Sequence, residues 1–162
     1  MTDFHDLYSR HANDIYRFSL FLCGDADDAA DITAETFVRV LTGKSPIISA
    51  TVKGYLLTIA RNLYLESLRR RKRRTDVPAE LADPAPHPEQ TVAHITELEA
   101  LRHHLQTFSE IDRTALLLRS DGLTYEEIAH ALGISLASAK VKVHRLRLKL
   151  AEWRAAREAH DG

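Results

Sequence analysis

The chain has 162 residues, 44% of them hydrophobic, a single cysteine and a formal net charge of −1. That length holds one ordinary core or two small ones, and two helical modules of roughly 60 to 75 residues each would sit near the lower limit of independent stability. Cys23 has no partner for an internal disulfide, no apolar run approaches the ~20 residues that span a bilayer, and MTDFHDLYSRH has no basic flank leading into an apolar block. A cytoplasmic protein without membrane insertion is expected, with Cys23 as a core residue in SLFLCGD.

The near-zero total conceals segregated charge. Residues 1–50 carry four basic and eight acidic side chains, 51–74 eight and one, 75–99 none and six, and 100–162 ten and eight. Such a chain can grip a polyanion at chosen places while repelling it elsewhere.

Phe4, Leu7, Tyr8, His11, Ile15, Phe18 and Leu22 recur at helical spacing, and Gly24 with Asp25 punctuates the end. A second helix is predicted from about Ala26 to Leu41, with Ala29, Thr33, Phe37 and Val40 on one side. Its Asp27, Asp28, Asp31 and Glu35 lie toward the N-terminal half, where carboxylates suit the helix dipole. TGKSPIISAT breaks the pattern. A third helix follows from Val52 to about Arg74, with Val52, Tyr55, Leu56, Ile59 and Leu63 expected on its buried stripe.

Four of the five prolines fall in DVPAELADPAPHPEQ, Asp76 to Gln90, which is acidic, lacks aromatics and cannot sustain a helix. It reads as a flexible linker. Beyond it, Leu98, Leu101, Leu105 and Phe108 mark one helix, and Ile111, Ala115, Leu116 and Leu118 the next. Thr124 and Glu127 form a Thr-x-x-Glu capping box that opens the helix of Ile128, Ala129 and Leu132. Gly133 ends it, and Ser135 is placed to cap a new one.

That last segment, GISLASAKVKVHRLRLKL, alternates apolar and basic residues from Lys140 to Leu150, as a half-buried strand would. Ala139, Val143, Leu146, Leu150 and Trp153 are nevertheless spaced four, three, four and three, so they share one helical arc. Helix is therefore expected, with the cations on its flanks and far side. Small Ala129, then Gly133 at a turn, then small residues opening the next helix describe a helix-turn-helix. Small residues let the backbone approach a groove wall and cations further along reach phosphates. The duplex-contact set is Thr124, Ser135, Ala137, Ser138, Lys140, Lys142, His144, Arg145 and Arg147. The competing reading makes the stretch Lys140 to Lys149 merely the solvated side of an amphipathic helix; ten positions without an acid beside a capping box favour DNA.

A second basic feature is RNLYLESLRRRKRR, ending in six consecutive cations. Alone such a run is commonly a solvated tail. Here it continues a helix bearing Lys53, Tyr55, Arg61, Asn62 and Tyr64, and aromatics among cations suit stacked single-stranded bases. Nine histidines raise a metal hypothesis, but His103 and His104 are adjacent and face apart, and no His-x-x-x-His or cysteine pair offers convergent ligands. No metal, no cofactor and no covalent chemistry are expected.

ADDAADITAETFVRVL, KGYLLTIARNLYLESLRRRKRR and GLTYEEIAHALGISLASAKVKVHRLRLKL together resemble a bacterial RNA polymerase sigma factor of the extracytoplasmic-function (ECF) group of the sigma-70 family. The resemblance implies an all-α chain of two small helical domains joined by a flexible Pro-rich linker. Residues 1–74 would be sigma region two, 75–97 the linker, and 98–162 sigma region four with the helix-turn-helix.

It further implies that Asp28, Asp31 and Glu35 bind the clamp helices of the largest subunit of core RNA polymerase, while the flap of the second largest meets the second domain. Phe37 matches the same surface but reads as core. Lys53, Tyr55, Arg61, Asn62, Arg69 and Arg70 would hold the minus-ten single strand, and the loop Thr42 to Thr51 would capture a flipped base. Lys140, Arg145 and Arg147 keep the family's minus-thirty-five contacts. The chain departs from the family pattern at Ala34, commonly glutamine, at Tyr55, usually tryptophan, and at Ala137 to Lys142, often Gly-Thr-Val-Lys-Ser-Arg. Promoter DNA is the implied ligand, and an anti-sigma factor, usual in the family, is a further partner that the linker would permit.

Two other functions would use parts of the same chain. A stand-alone helix-turn-helix regulator would carry an α/β receiver, whereas Met1 to Arg74 shows only helical spacing. A protein-sequestering module would use the acidic helix and leave the DNA contacts idle.

Overall fold

The computed structural model describes residues 4–43, 51–74 and 96–161. Among them are seven helices and no strand: α1 Phe4–Cys23, α2 Ala26–Thr42, α3 Val52–Arg74, α4 Glu97–Leu105, α5 Glu110–Ser120, α6 Tyr125–Leu132 and α7 Leu136–Asp161. No described helix is long and apolar enough to cross a membrane. Residues 44–50 and 75–95, where the flipped-base loop and most of the linker were expected, lie outside the described residues.

In the first module α1, α2 and α3 pack together around Ile15, Phe18, Leu22, Phe37, Leu56 and Ile59. Asp25 caps α2 by accepting from the backbone N–H of Asp28 at 2.9 Å, and Gly43 closes it in the left-handed conformation with φ 66°. Thr33 and Thr36 are buried, yet each hydroxyl donates to the carbonyl four residues back at 2.7 Å, so neither is left unsatisfied. Phe37 is indeed core, edge-on to Tyr8.

The buried stripe of α3 is wider than its spacing predicted. Leu56, Leu57, Ile59, Ala60, Arg61, Leu63 and Tyr64 are all buried, an arc of about 200° at 100° per residue. One face packs on α1 and α2, and Arg61 and Tyr64 on another reach the second module. Val52, expected in the stripe, is 51% exposed because it opens the helix.

The second module is built on α5, with Ala115, Leu116 and Leu118 meeting Ile128 of α6 and Ala139, Val143 and Leu146 of α7. The capping box at Thr124 forms as expected, and Gly133 takes φ 64° between α6 and α7. The basic stretch is helical throughout. Phe108 falls beyond the end of α4, and Leu98 is exposed.

The modules are not separate bodies. Their apolar residues form one continuous cluster, with α1 lying against α4 and α5. Side chains of the second module cap the C-terminus of α1: Gln106 Nε2 donates to the carbonyls of Phe21 and Leu22 at 3.2 and 3.4 Å, and Arg113 Nε donates to Leu22 O at 2.7 Å. A helix end leaves carbonyls without partners and carries partial negative charge, so a guanidinium there is well placed. Arg113 also donates to Phe108 O and Tyr64 Oη, both at 2.9 Å, which is how a cation only 4% exposed is accommodated.

Candidate nucleic-acid and polymerase interface

The helix-turn-helix presents α7 with one face down and one bare. Ala139, Val143 and Leu146 are buried, whereas Ser135, Ala137, Lys140, His144, Arg145 and Arg147 are exposed. Ser138 and Lys142 are half-buried, and Lys142 Nζ is held 2.9 Å from Asp112 Oδ1. Thr124 is exposed, but its hydroxyl is committed to Glu127 as the cap of α6. Ser135 Oγ likewise accepts from Ser138 N at 3.1 Å. The duplex-contact set thus divides into the caps Thr124 and Ser135, the half-buried Ser138 and Lys142, an exposed outward group of Ala137, Lys140, His144 and Arg145, and Arg147, which lines a groove with Arg17, Phe21 and Leu150.

The single-strand set is placed differently. Arg61 is 9% exposed, and its guanidinium forks onto Glu110 of α5 at 2.9 and 3.2 Å and donates to Ala131 O at 3.3 Å. Lys53 Nζ sits 3.6 Å from Asp14 and 3.5 Å from Asp121. Burial pushes the Asp121 carboxyl up from its ordinary range even though Lys53 pulls it down. Tyr55 and Asn62 are half-buried. Only Arg69 and Arg70 of the set are exposed, on the last turns of α3. Glu110 and Asp121 were not singled out in the sequence, since nothing local marks an acid as the partner of a cation 49 or 68 positions earlier.

The acidic set lies on one side of α2. Asp31 and Glu35 are exposed; Asp28 is half-buried and paired with Arg71, whose proton that carboxylate helps to hold. Beside them Val38 and Leu41 are 48% and 65% exposed, and an apolar groove of about 530 Å³ opens toward Phe4, Tyr8, Tyr16 and Phe37. Exposed aliphatic residues next to carboxylates suit a protein partner with basic, apolar helices. Val38 and Leu41 were not singled out in the sequence, although the spacing of 31, 35 and 38 places them on one face.

The model of Sigma-70 region 2 matches residues 7–74, and that of Sigma-70, region 4 matches residues 98–150. The ECF RNA polymerase sigma factor SigE of Mycolicibacterium smegmatis is 36% identical over 160 residues, covering 94% of this chain and 62% of that protein. The ferric citrate uptake sigma factor FecI of Escherichia coli is 32% identical, covering 85% and 82%. This chain belongs to the ECF group of the sigma-70 family.

The chain spans less than two thirds of the length of the SigE relative, but 91% of the ECF sigma factor SigM of Bacillus subtilis, to which it is 30% identical. Among solved structures, the sigma factor RpoE in its complex with the anti-sigma factor NepR from Bartonella quintana superposes with a TM-score of 0.75 at 25% identity, over 94% of this chain and 96% of that one. The two sigma regions match in the order expected, on either side of the proline-rich segment.

Proposed function

We propose that this ECF-family chain binds core RNA polymerase, directs it to particular promoters and helps to open them, working in the cytoplasm and doing no covalent chemistry of its own. One observation carries the reading: a single chain presents an acidic, apolar-edged face on α2 and a bare cationic helix of a helix-turn-helix on α7. A DNA-binding regulator acting alone needs only the second.

In this reading residues 1–74 dock on the polymerase and handle the minus-ten element, 75–97 tether, and 98–162 read the minus-thirty-five duplex. Asp28, Asp31 and Glu35 meet the clamp helices of the largest subunit, and the second module meets the flap of the second largest. Lys53, Tyr55, Arg61, Asn62, Arg69 and Arg70 hold the separated strand. Unstacking a base costs a few kcal/mol, offset by pocket contacts and neutralised phosphates. Because Lys53 and Arg61 are covered by the second module, the modules part before the single strand binds. An anti-sigma factor is a fitting partner for the closed form, since the RpoE relative was solved with one.

Run-off transcription with purified core polymerase and a library of upstream fragments tests the proposal. Transcripts from defined starts that depend on the chain are expected; core polymerase that neither binds the chain nor starts at any fixed site would refute it. Gel shifts should show weak promoter binding by the chain alone and strong binding with core, falling steeply with salt.

A further inference from the structure

The outward face of α7 is not uniformly charged. At 100° per residue, Ala137, Val141, His144 and Leu148 fall opposite the buried Ala139, Val143 and Leu146, and Val141 and Leu148 are 52% and 54% exposed. Cations border this stripe on both sides, Lys140 and Arg147 on one and Lys142, Arg145 and Lys149 on the other. Val141 is the sixth residue of the helix, one turn after Ala137, whose lack of bulk leaves room for a close surface. A β-branched residue gains nothing for helix stability at an exposed site, and two bare methyl groups between lysines gain nothing in water.

Resting on the promoter-reading assignment above, we propose that Val141 determines base preference by packing its methyl groups on the 5-methyl of a thymine in the upstream duplex. Charge complementarity selects the occupant. Flanking cations straddle a row of phosphates on each side, and the major groove between them, about 12 Å wide, admits a helix. The N-terminal turns of the second helix are those that reach base edges, which places Val141 at the groove floor. Leu148, two turns further on and about 10 Å along the axis, lies beyond them. An apolar side chain in that groove meets one apolar feature, the thymine methyl, so Val141 makes no use of cytosine, guanine or adenine edges.

The test uses holoenzyme assembled from the full chain and core polymerase. An upstream duplex is first selected from a randomised fragment library, and each thymine in it is then replaced singly by deoxyuridine, which removes only the methyl. Wild-type holoenzyme should lose about four-fold in affinity at one or two positions, the worth of one buried methyl group. Val141→Ala, a better helix former, should abolish that loss at the same position and leave the salt slope unchanged, because no phosphate contact is touched. Leu148→Ala should keep the wild-type deoxyuridine profile. A profile flat in the wild type, or unaltered by Val141→Ala, overturns the assignment of Val141 while the promoter reading stands. Failure to select any upstream element overturns the promoter reading and this proposal with it.

Discussion

α3 and α7 are helices of similar length, 23 and 26 residues, and each carries a row of cations at intervals that the sequence makes plain. On α7 the cations flank a bare face; on α3 Lys53 and Arg61 are overlaid by carboxylates of the second module. Residue type and helical spacing are alike in the two cases. What differs is whether another element packs over the helix, so a cationic helix read as a nucleic-acid surface can be open or occupied according to contacts far away in the chain.

Arg113 stitches the covering module to α1 and α3. Arg113→Ala takes the guanidinium away from Leu22 O, Phe108 O and Tyr64 Oη, leaving Leu22 O only the 3.4 Å bond from Gln106, and a loss of about 3 kcal/mol in unfolding free energy is expected from denaturant titration. A change under 1 kcal/mol would mean that the modules do not depend on that contact.

Two carboxylates hold the cover on α3, and their removal uncovers the helix without unfolding it. Glu110→Gln with Asp121→Asn removes the second module's carboxylates from Arg61 and Lys53, leaving Asp14 of α1 beside Lys53. If about one molecule in ten is open in the wild type, affinity for a single-stranded oligonucleotide should rise about ten-fold, and the radius of gyration from small-angle scattering should grow. Equal affinities for both chains would show that the covered cations do not bind DNA.

On the open helix, Lys140→Ala and Arg145→Ala should each lower the slope of log affinity against log salt by about one, with binding weakened alike across sequences. Salt titrations of holoenzyme on one promoter fragment measure this. A base-specific loss would reassign those residues to sequence reading.

The smallest effect concerns the histidines near the joint. Burial lowers the His104 side chain, stacked 4.6 Å from Trp153, and His11, beside Arg10, Asp14 and Lys53, is lowered by burial first and by Arg10 next. A histidine lowered in the folded chain binds fewer protons there than when unfolded. Its contribution is whole above the unfolded value of about 6.5 and is lost as pH falls from there through the folded value. Asp121, raised by burial, has the opposite sign, favouring the folded chain as pH falls through its raised folded value toward the ordinary carboxylate range. Unfolding midpoints at pH 7.5 and 5.5 should therefore show a shallow loss on acidification, reduced in His104→Phe, which keeps the ring on Trp153. An identical slope in that variant would remove His104 from the account.

Much of the architecture was legible in the chain. Apolar spacing and caps placed the first three helices to within about a residue, and Thr124, Glu127 and Gly133 located the helix-turn-helix, because these signals act within a few residues of themselves. Phe108 and Leu98 misled for a local reason: both continue the period of α4, but the helix stops at Leu105 and Leu98 lies near its open start.

By itself the sequence determined seven helical segments, their apolar faces and the clustering of charge, since spacing and capping depend on neighbours at three or four positions. Only the tertiary structure decided that Arg61 finds Glu110, that Gln106 and Arg113 cap α1, and that both modules share one apolar cluster. Those pairings join residues dozens of positions apart, where no periodicity operates and burial of common apolar surface selects the partner.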